Sequence, residues 1–149
     1  VTFALVVATL GGLGRMRPGP GTWGSAVVLP LALLGPGWCL ALGVALAALG
    51  WWAVAQVLAG RPEEDPGWVV VDEGAGMLLA LAGLPDPASL PGVALAFGLF
   101  RALDITKPWP VSWADRQGGA MGVMLDDLVA GAIAAAGLLA FARLYPGAI

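Results

Sequence analysis

The chain contains no histidine and a single cysteine, Cys39. Without histidine, every Ser-His, Cys-His or histidine-based general acid/base scheme is closed. Any metal site must then be built from oxygen ligands, which favours a hard cation such as Mg2+ over Zn2+. A lone cysteine in an apolar segment builds no disulfide framework and reads as packing. No arginine stands in Cys-x5-Arg register behind it, so a cysteine phosphatase is excluded. Charge is scarce as well. Only 11% of residues are charged, against roughly 25% in soluble domains, and none lies between Pro18 and Gly60. The net charge of −3 comes with no basic patch, which argues against a nucleic-acid partner.

What fills the space is apolar: 59% of the 149 residues are hydrophobic, and the mean hydropathy is +0.87. That length is one domain's worth of chain, residues 1–149. The stretch Trp38 to Gly60 is uncharged and long enough to cross a bilayer core, which takes about 20 helical residues. The composition predicts an integral membrane protein, with a greasy soluble helical protein as the alternative. Pattern and punctuation predict an all-α bundle of about six helices, some shorter than a full span. They run over Val1 to Leu13, Thr22 or Ser25 to about Leu34, Trp38 to Ala59, Val69 to Leu84, Gly92 to about Ile105, and Asp126 to Tyr145. Arg61 to Trp68 reads as a solvated loop, and Lys107 to Gly122 as a Pro/Gly/Trp-rich connection.

The few charges do not scatter. Outside the Arg61 loop they gather at Arg15/Arg17, Asp72/Glu73, Arg101/Asp104/Lys107 with Asp115/Arg116 beyond, and Asp126/Asp127, and only Asp86 and Arg143 stand apart. Ionisable groups near lipid cost several kcal/mol unless paired or hydrated, so such groups point to function. Carboxylates from three helices could converge on one or two Mg2+. Alternatively, acids in a first turn simply complement the helix dipole. That choice stays open for Asp126/Asp127 taken alone. Arg101, Asp104 and Lys107 fall at i, i+3, i+6 on one helix face. They read either as intrahelical ion pairs or as a metal ligand flanked by two phosphate-seeking cations. "GLGRMRPGPGTWGS", with Arg15, Thr22 and Ser25, is a candidate anion cradle that lacks the Walker ending.

Carboxylates, a hard cation, phosphate-seeking side chains and a membrane setting point to chemistry on a lipid phosphate. A small ion- or proton-coupled carrier using intramembrane carboxylates is the alternative. A carrier for cations has no use for arginine and lysine beside its acids. Neither the Asp-x-Asp nucleophile motif nor Asp-Gly-x-x-Ala-Arg of alcohol phosphatidyltransferases occurs.

The four segments "GLGRMRPGPGTWGS", "DEGAGM", "FRALDITKPWPVSWADR" and "GGAMGVMLDDLVAG" together resemble the phosphatidylglycerophosphatase A family, in order, from Gly12 to Gly131. The resemblance implies a Mg2+-dependent, multi-pass enzyme of the bacterial cytoplasmic (inner) membrane. It would remove the terminal phosphate of phosphatidylglycerophosphate, a phospholipid substrate drawn from the bilayer. Carried over by position, Asp72, Glu73, Asp104 and Asp126 would hold metal, and Arg15, Thr22 and Ser25 would bind substrate phosphate. Asp127 is expected as general base, with Arg101 and Lys107 neutralising developing charge; an aspartyl-phosphate intermediate is the rival mechanism. Arg15 stands where the family has a familiar lysine, and Gly74 and Ala75 stand where bulkier residues are usual.

Overall fold

Glycine and proline set the helix boundaries. In the computed structural model, which describes residues 2–60 and 66–149, helix α1 spans Thr2–Ala8 and stops short of the expected Leu13. Leu10, Gly11 and Gly12 there adopt positive φ. A 3-10 turn at Leu13–Arg15 follows, then α2 at Pro20–Ala26. Gly19 is the N-cap of α2, with φ 64° and Pro20 behind it, so neither Thr22 nor Ser25 caps this helix. The apolar stretch beyond is a second 3-10 segment, Leu29–Leu34, because Pro30 interrupts a continuous α-helix.

The remaining helices are α3 at Pro36–Val57, α4 at Val71–Leu81, α5 at Leu90–Thr106, α6 at Val111–Asp115 and α7 at Gly119–Leu144. The described residues are thus all-helical, as expected, with no strand among them. The short α6 occupies what the sequence presented as a connection. The charged part of the predicted loop, Arg61 to Asp65, lies outside the described residues.

The largest departure concerns α7, which begins at Gly119 rather than Asp126. Gly118, at φ 73°, is its N-cap, and the glycine-rich stretch after it is already helical. Asp126 and Asp127 therefore lie about two turns inside the helix. Too far from the end to serve the dipole there, they are not capping residues.

Helices α3 and α7 are long and apolar enough to cross a membrane, with mean hydropathies of 1.9 and 1.8. At 1.5 Å per residue they measure about 33 and 39 Å. Large apolar side chains on α3, among them Trp38, Val44 and Trp52, are exposed as a lipid-facing surface would be. The C-terminal residues Ala53, Val54 and Val57 of α3 pack with Val123 and Met124 near the start of α7. The two long helices therefore run antiparallel, and the acids of α7 sit towards one shared end.

Short, buried α4 is the hub of the bundle, packing most extensively on α7 and α3. Its contact with α7 is made by small residues. A Cβ at Gly131 would lie 2.2 Å from the Gly76 carbonyl oxygen, and one at Gly76 would lie 2.5 Å from that of Asp127. About two turns beyond Gly76, just past the end of α4, a Cβ at Gly83 would meet the Ala135 backbone at 2.4 Å. Contacts that advance together along both chains mean that α4 and α7 run parallel. On each helix an acid precedes the contact glycine by four residues: Asp72 before Gly76, Asp127 before Gly131. A four-residue step keeps the same face, so the crossing that joins the glycines also brings the acids together.

Candidate active site

Five carboxylates converge where α4, α5 and α7 meet. Asp72, Asp126 and Asp127 each present an oxygen within 4.8 Å of the others, and Glu73, Asp104 and Asp127 do the same. Asp127 belongs to both triads and is only 1% exposed. Its Oδ1 is the one buried side-chain oxygen without a hydrogen-bond partner among the described residues. Leaving a buried carboxylate oxygen unmatched is costly. Such an oxygen at the junction of two acid triads fits a bound cation.

Helix α5 delivers the counter-charges. Arg101 Nη1 donates to Glu73 Oε2 at 2.8 Å and to Asp104 Oδ2 at 2.6 Å. Both bonds use one nitrogen, which leaves Nη2 and Nε of the fork for a phosphate. Lys107 is the C-cap of α5, held in the left-handed region at φ 48° by its N–H bond to Leu103, with Pro108 ending the helix. Its Nζ reaches Asp126 Oδ2 at 2.7 Å, with Asp104 and Asp115 at 3.7 and 3.9 Å. Burial would lower the Lys107 pKa, but the bond to Asp126 outweighs it and keeps the ammonium charged. Asp115, which stands beyond the Arg101/Asp104/Lys107 group in the sequence, thus reaches the edge of the site through Lys107.

Five acids against two cations leave an excess of negative charge in a cavity of about 410 Å3. On the short helix α4, burial raises Asp72 to about 8 and Glu73 to about 9, with neighbouring carboxylates adding to both. The cavity is lined by all five acids, Arg101 and Lys107, and is closed on one side by Pro20 and Gly21. Gly21 lets α2 sit directly on the Glu73–Arg101 ion pair: a Cβ there would lie 2.9 Å from Glu73 Oε1 and 3.3 Å from Arg101 Nη1.

The family model described as Phosphatidylglycerophosphatase A matches residues 6–142, nearly the whole chain. The chain belongs to this family. It is 40% identical over 127 residues to Phosphatidylglycerophosphatase A of Escherichia coli (strain K12), covering 82% of this chain and 73% of that protein. The corresponding protein of Haemophilus influenzae is 35% identical over 125 residues, covering 80% and 76%. A Putative phosphatidylinositol-3-phosphatase of Bacteroides thetaiotaomicron is 42% identical over 92 residues, covering 61% and 57%. No solved structure gives a significant match.

The region shared with the phosphatidylglycerophosphatase A family includes every residue singled out from the sequence, but the fold does not gather all of them. Asp72, Glu73, Arg101, Asp104, Lys107, Asp126 and Asp127 line one cavity. Ser25 stands behind it. Fully buried, its single hydroxyl proton lies on the Gly21 carbonyl at 2.9 Å, with Glu73 Oε2 at 3.4 Å as a weaker shared acceptor, so it backs that carboxylate. Thr22 is exposed and is absent from the cavity lining. Arg15 lines a neighbouring cavity instead. The i, i+4 link between each acid and its contact glycine was visible in the sequence; which helix received each glycine was not.

Proposed function

We propose that the chain hydrolyses the terminal phosphate monoester of phosphatidylglycerophosphate, releasing phosphatidylglycerol and inorganic phosphate in phospholipid synthesis. It is a phosphoric monoester hydrolase of the phosphatidylglycerophosphatase A family. The observation that carries the reading is the pair of carboxylate triads joined at Asp127, with a buried unmatched oxygen and two cations beside them. Oxygen-only ligands and the absence of histidine favour Mg2+ as the ion. Asp72, Glu73, Asp104, Asp126 and Asp127 would hold it, and two triads sharing one acid suit a pair of ions. When bound, Mg2+ offsets phosphate charge and makes water a better nucleophile.

The side chains divide the remaining work. Arg101, through Nη2 and Nε, grips two phosphate oxygens, while Nη1 stays anchored to Glu73 and Asp104. Lys107 Nζ, positioned by Asp126, neutralises charge that develops as the ester P–O bond breaks. Water attacks phosphorus opposite the glycerol oxygen, forming the new P–O bond. The proton it gives up passes to a carboxylate oxygen not engaged by the ion, on Asp72, Asp104 or Asp126, and the departing glycerol oxygen takes up a proton to leave as the alcohol. The burial of Asp127 and its place in both triads favour a ligand role over the base role expected from sequence. Ser25 acts at one remove, by backing Glu73.

The two long apolar helices support a multi-pass protein of the bacterial cytoplasmic membrane, with the site near one end of both, where a lipid headgroup lies. The carrier reading is disfavoured because Arg101 and Lys107 are wired into the acids. The test is phosphate release from the detergent-purified chain, with phosphatidylglycerophosphate, phosphatidylinositol 3-phosphate and soluble monoesters, with Mg2+ and with chelator. Mg2+-dependent release, fastest with phosphatidylglycerophosphate, is the expected result. Faster release from phosphatidylinositol 3-phosphate would move the substrate assignment. No Mg2+-dependent release from any substrate would refute the enzyme reading.

A further inference from the structure

A second cavity, of about 720 Å3, adjoins the acid site. Pro20 and Gly67 line both, so the two spaces meet along a common wall. The second is walled by Leu5 of α1 and by Trp68, and it carries Arg15 and Arg17. Neither arginine has an ion-pair partner among the described residues, whereas Arg101 and Lys107 are both committed to carboxylates. Two of only seven basic residues in an acidic chain thus stand unpaired in one cavity. The backbone shape is enforced: a Cβ at Gly14 would fall 1.8 Å from the Trp68 carbonyl oxygen, which presses the arginine-bearing loop onto that wall.

The acid site takes one phosphate, yet the proposed substrate carries two. The second is the phosphodiester that joins the headgroup to diacylglycerol, and it survives the reaction. Only a glycerol unit separates it from the scissile monoester. From these placements we infer that Arg15 and Arg17 form a subsite for the retained phosphodiester, with Leu5 and Trp68 facing the first apolar carbons of the acyl chains beyond it. This inference rests on the lipid phosphatase reading and deepens it. The acid site recognises the monoester, and the arginine cavity recognises that the monoester belongs to a lipid with a second phosphate. Guanidinium forks suit a diester's two non-bridging oxygens. A diester carries a single negative charge and needs no metal, which matches a cavity lined by no carboxylate among the described residues.

The test compares wild type with Arg15→Ala/Arg17→Ala in neutral detergent micelles, where no charged bilayer can attract arginine non-specifically. Phosphate release from phosphatidylglycerophosphate is measured with two inhibitors. Glycerophosphoglycerol carries a diester and no monoester; inorganic phosphate carries only the group the acid site takes. The expected result is a rise in KM of at least about tenfold with kcat held within about twofold, as loss of charge-assisted phosphate contacts predicts. Inhibition by glycerophosphoglycerol weakens by a similar factor and inhibition by phosphate does not. Arg15→Lys/Arg17→Lys, which keeps charge and loses the fork, recovers part of the KM effect and guards against a folding defect. An unchanged KM, or equal weakening of both inhibitors, overturns the subsite while leaving the enzyme reading intact. A wild type that releases no phosphate sinks the enzyme reading and the subsite with it.

Discussion

Replacing Gly131 with alanine tests whether the α4–α7 crossing sets the site. The new Cβ would start 2.2 Å from the Gly76 carbonyl oxygen, and real Cβ contacts below 3.0 Å are essentially absent. The obstacle is backbone, not a pliable side chain, so the helices must part by at least 0.8 Å, the difference between those two distances. Overpacking of this kind costs about 1–3 kcal/mol. The functional cost is larger, because Asp127 lies one turn from Gly131, and Asp72 one turn from Gly76. Displacing catalytic groups by about 1 Å costs on the order of 10²-fold in rate. The expected outcome for Gly131→Ala is a fall in kcat/KM of about that size, with helical circular dichroism retained and the melting temperature lowered. Gly98→Ala is the matched control. It sits on exposed α5 surface with nothing within 4 Å of the new Cβ. It should keep full activity and gain up to about 1 kcal/mol in stability. Wild-type turnover in Gly131→Ala would refute the claim that this crossing holds the acids in register.

Other expectations follow from the site contacts. Arg101→Ala strands Glu73 and Asp104 without their shared cation and should lower kcat by about 10²–10³-fold in phosphate-release assays. Arg101→Lys should recover little of this, because lysine cannot fork; full recovery would reduce Arg101 to a point charge. Asp127→Asn should lower turnover by about 10³-fold or more with near-native circular dichroism, and near-normal turnover would remove Asp127 from the site. Ser25→Ala should cost less than about tenfold in rate and roughly 1 kcal/mol in stability, since it removes only the support of Glu73. A loss as large as that of Asp127→Asn would mean that Ser25 touches substrate.

The all-α class, the apolar spans and most of the site were legible in the sequence because charge is so scarce. With few ionisable residues to place, those grouped on three helices marked one locus. Helix starts were less legible. Gly118 and Gly119 read in the sequence as part of a connection, yet one caps α7 and the other opens it, which puts Asp126 and Asp127 inside the helix rather than at its cap. Thr22 and Ser25 occupy the same short helix and differ only in facing, which depends on the Gly19–Pro20 turn. Ser25 turns inward to Glu73 and Thr22 turns out to solvent. The separation of Arg15 from the acids needs the packing of Gly14 on Trp68, a contact across more than fifty residues of chain with no local signature.

The central claim is that the cluster around Asp127 is a divalent-cation site. The direct measurement is equilibrium binding of Mn2+, a spectroscopically visible stand-in for Mg2+, to the detergent-purified chain by electron paramagnetic resonance, wild type against Asp127→Asn. Saturable binding that Mg2+ displaces, weakened in the variant by at least about 10²-fold as expected for loss of a shared carboxylate, is the predicted result. Equal affinity in the two proteins, or no saturable binding to wild type, would contradict it.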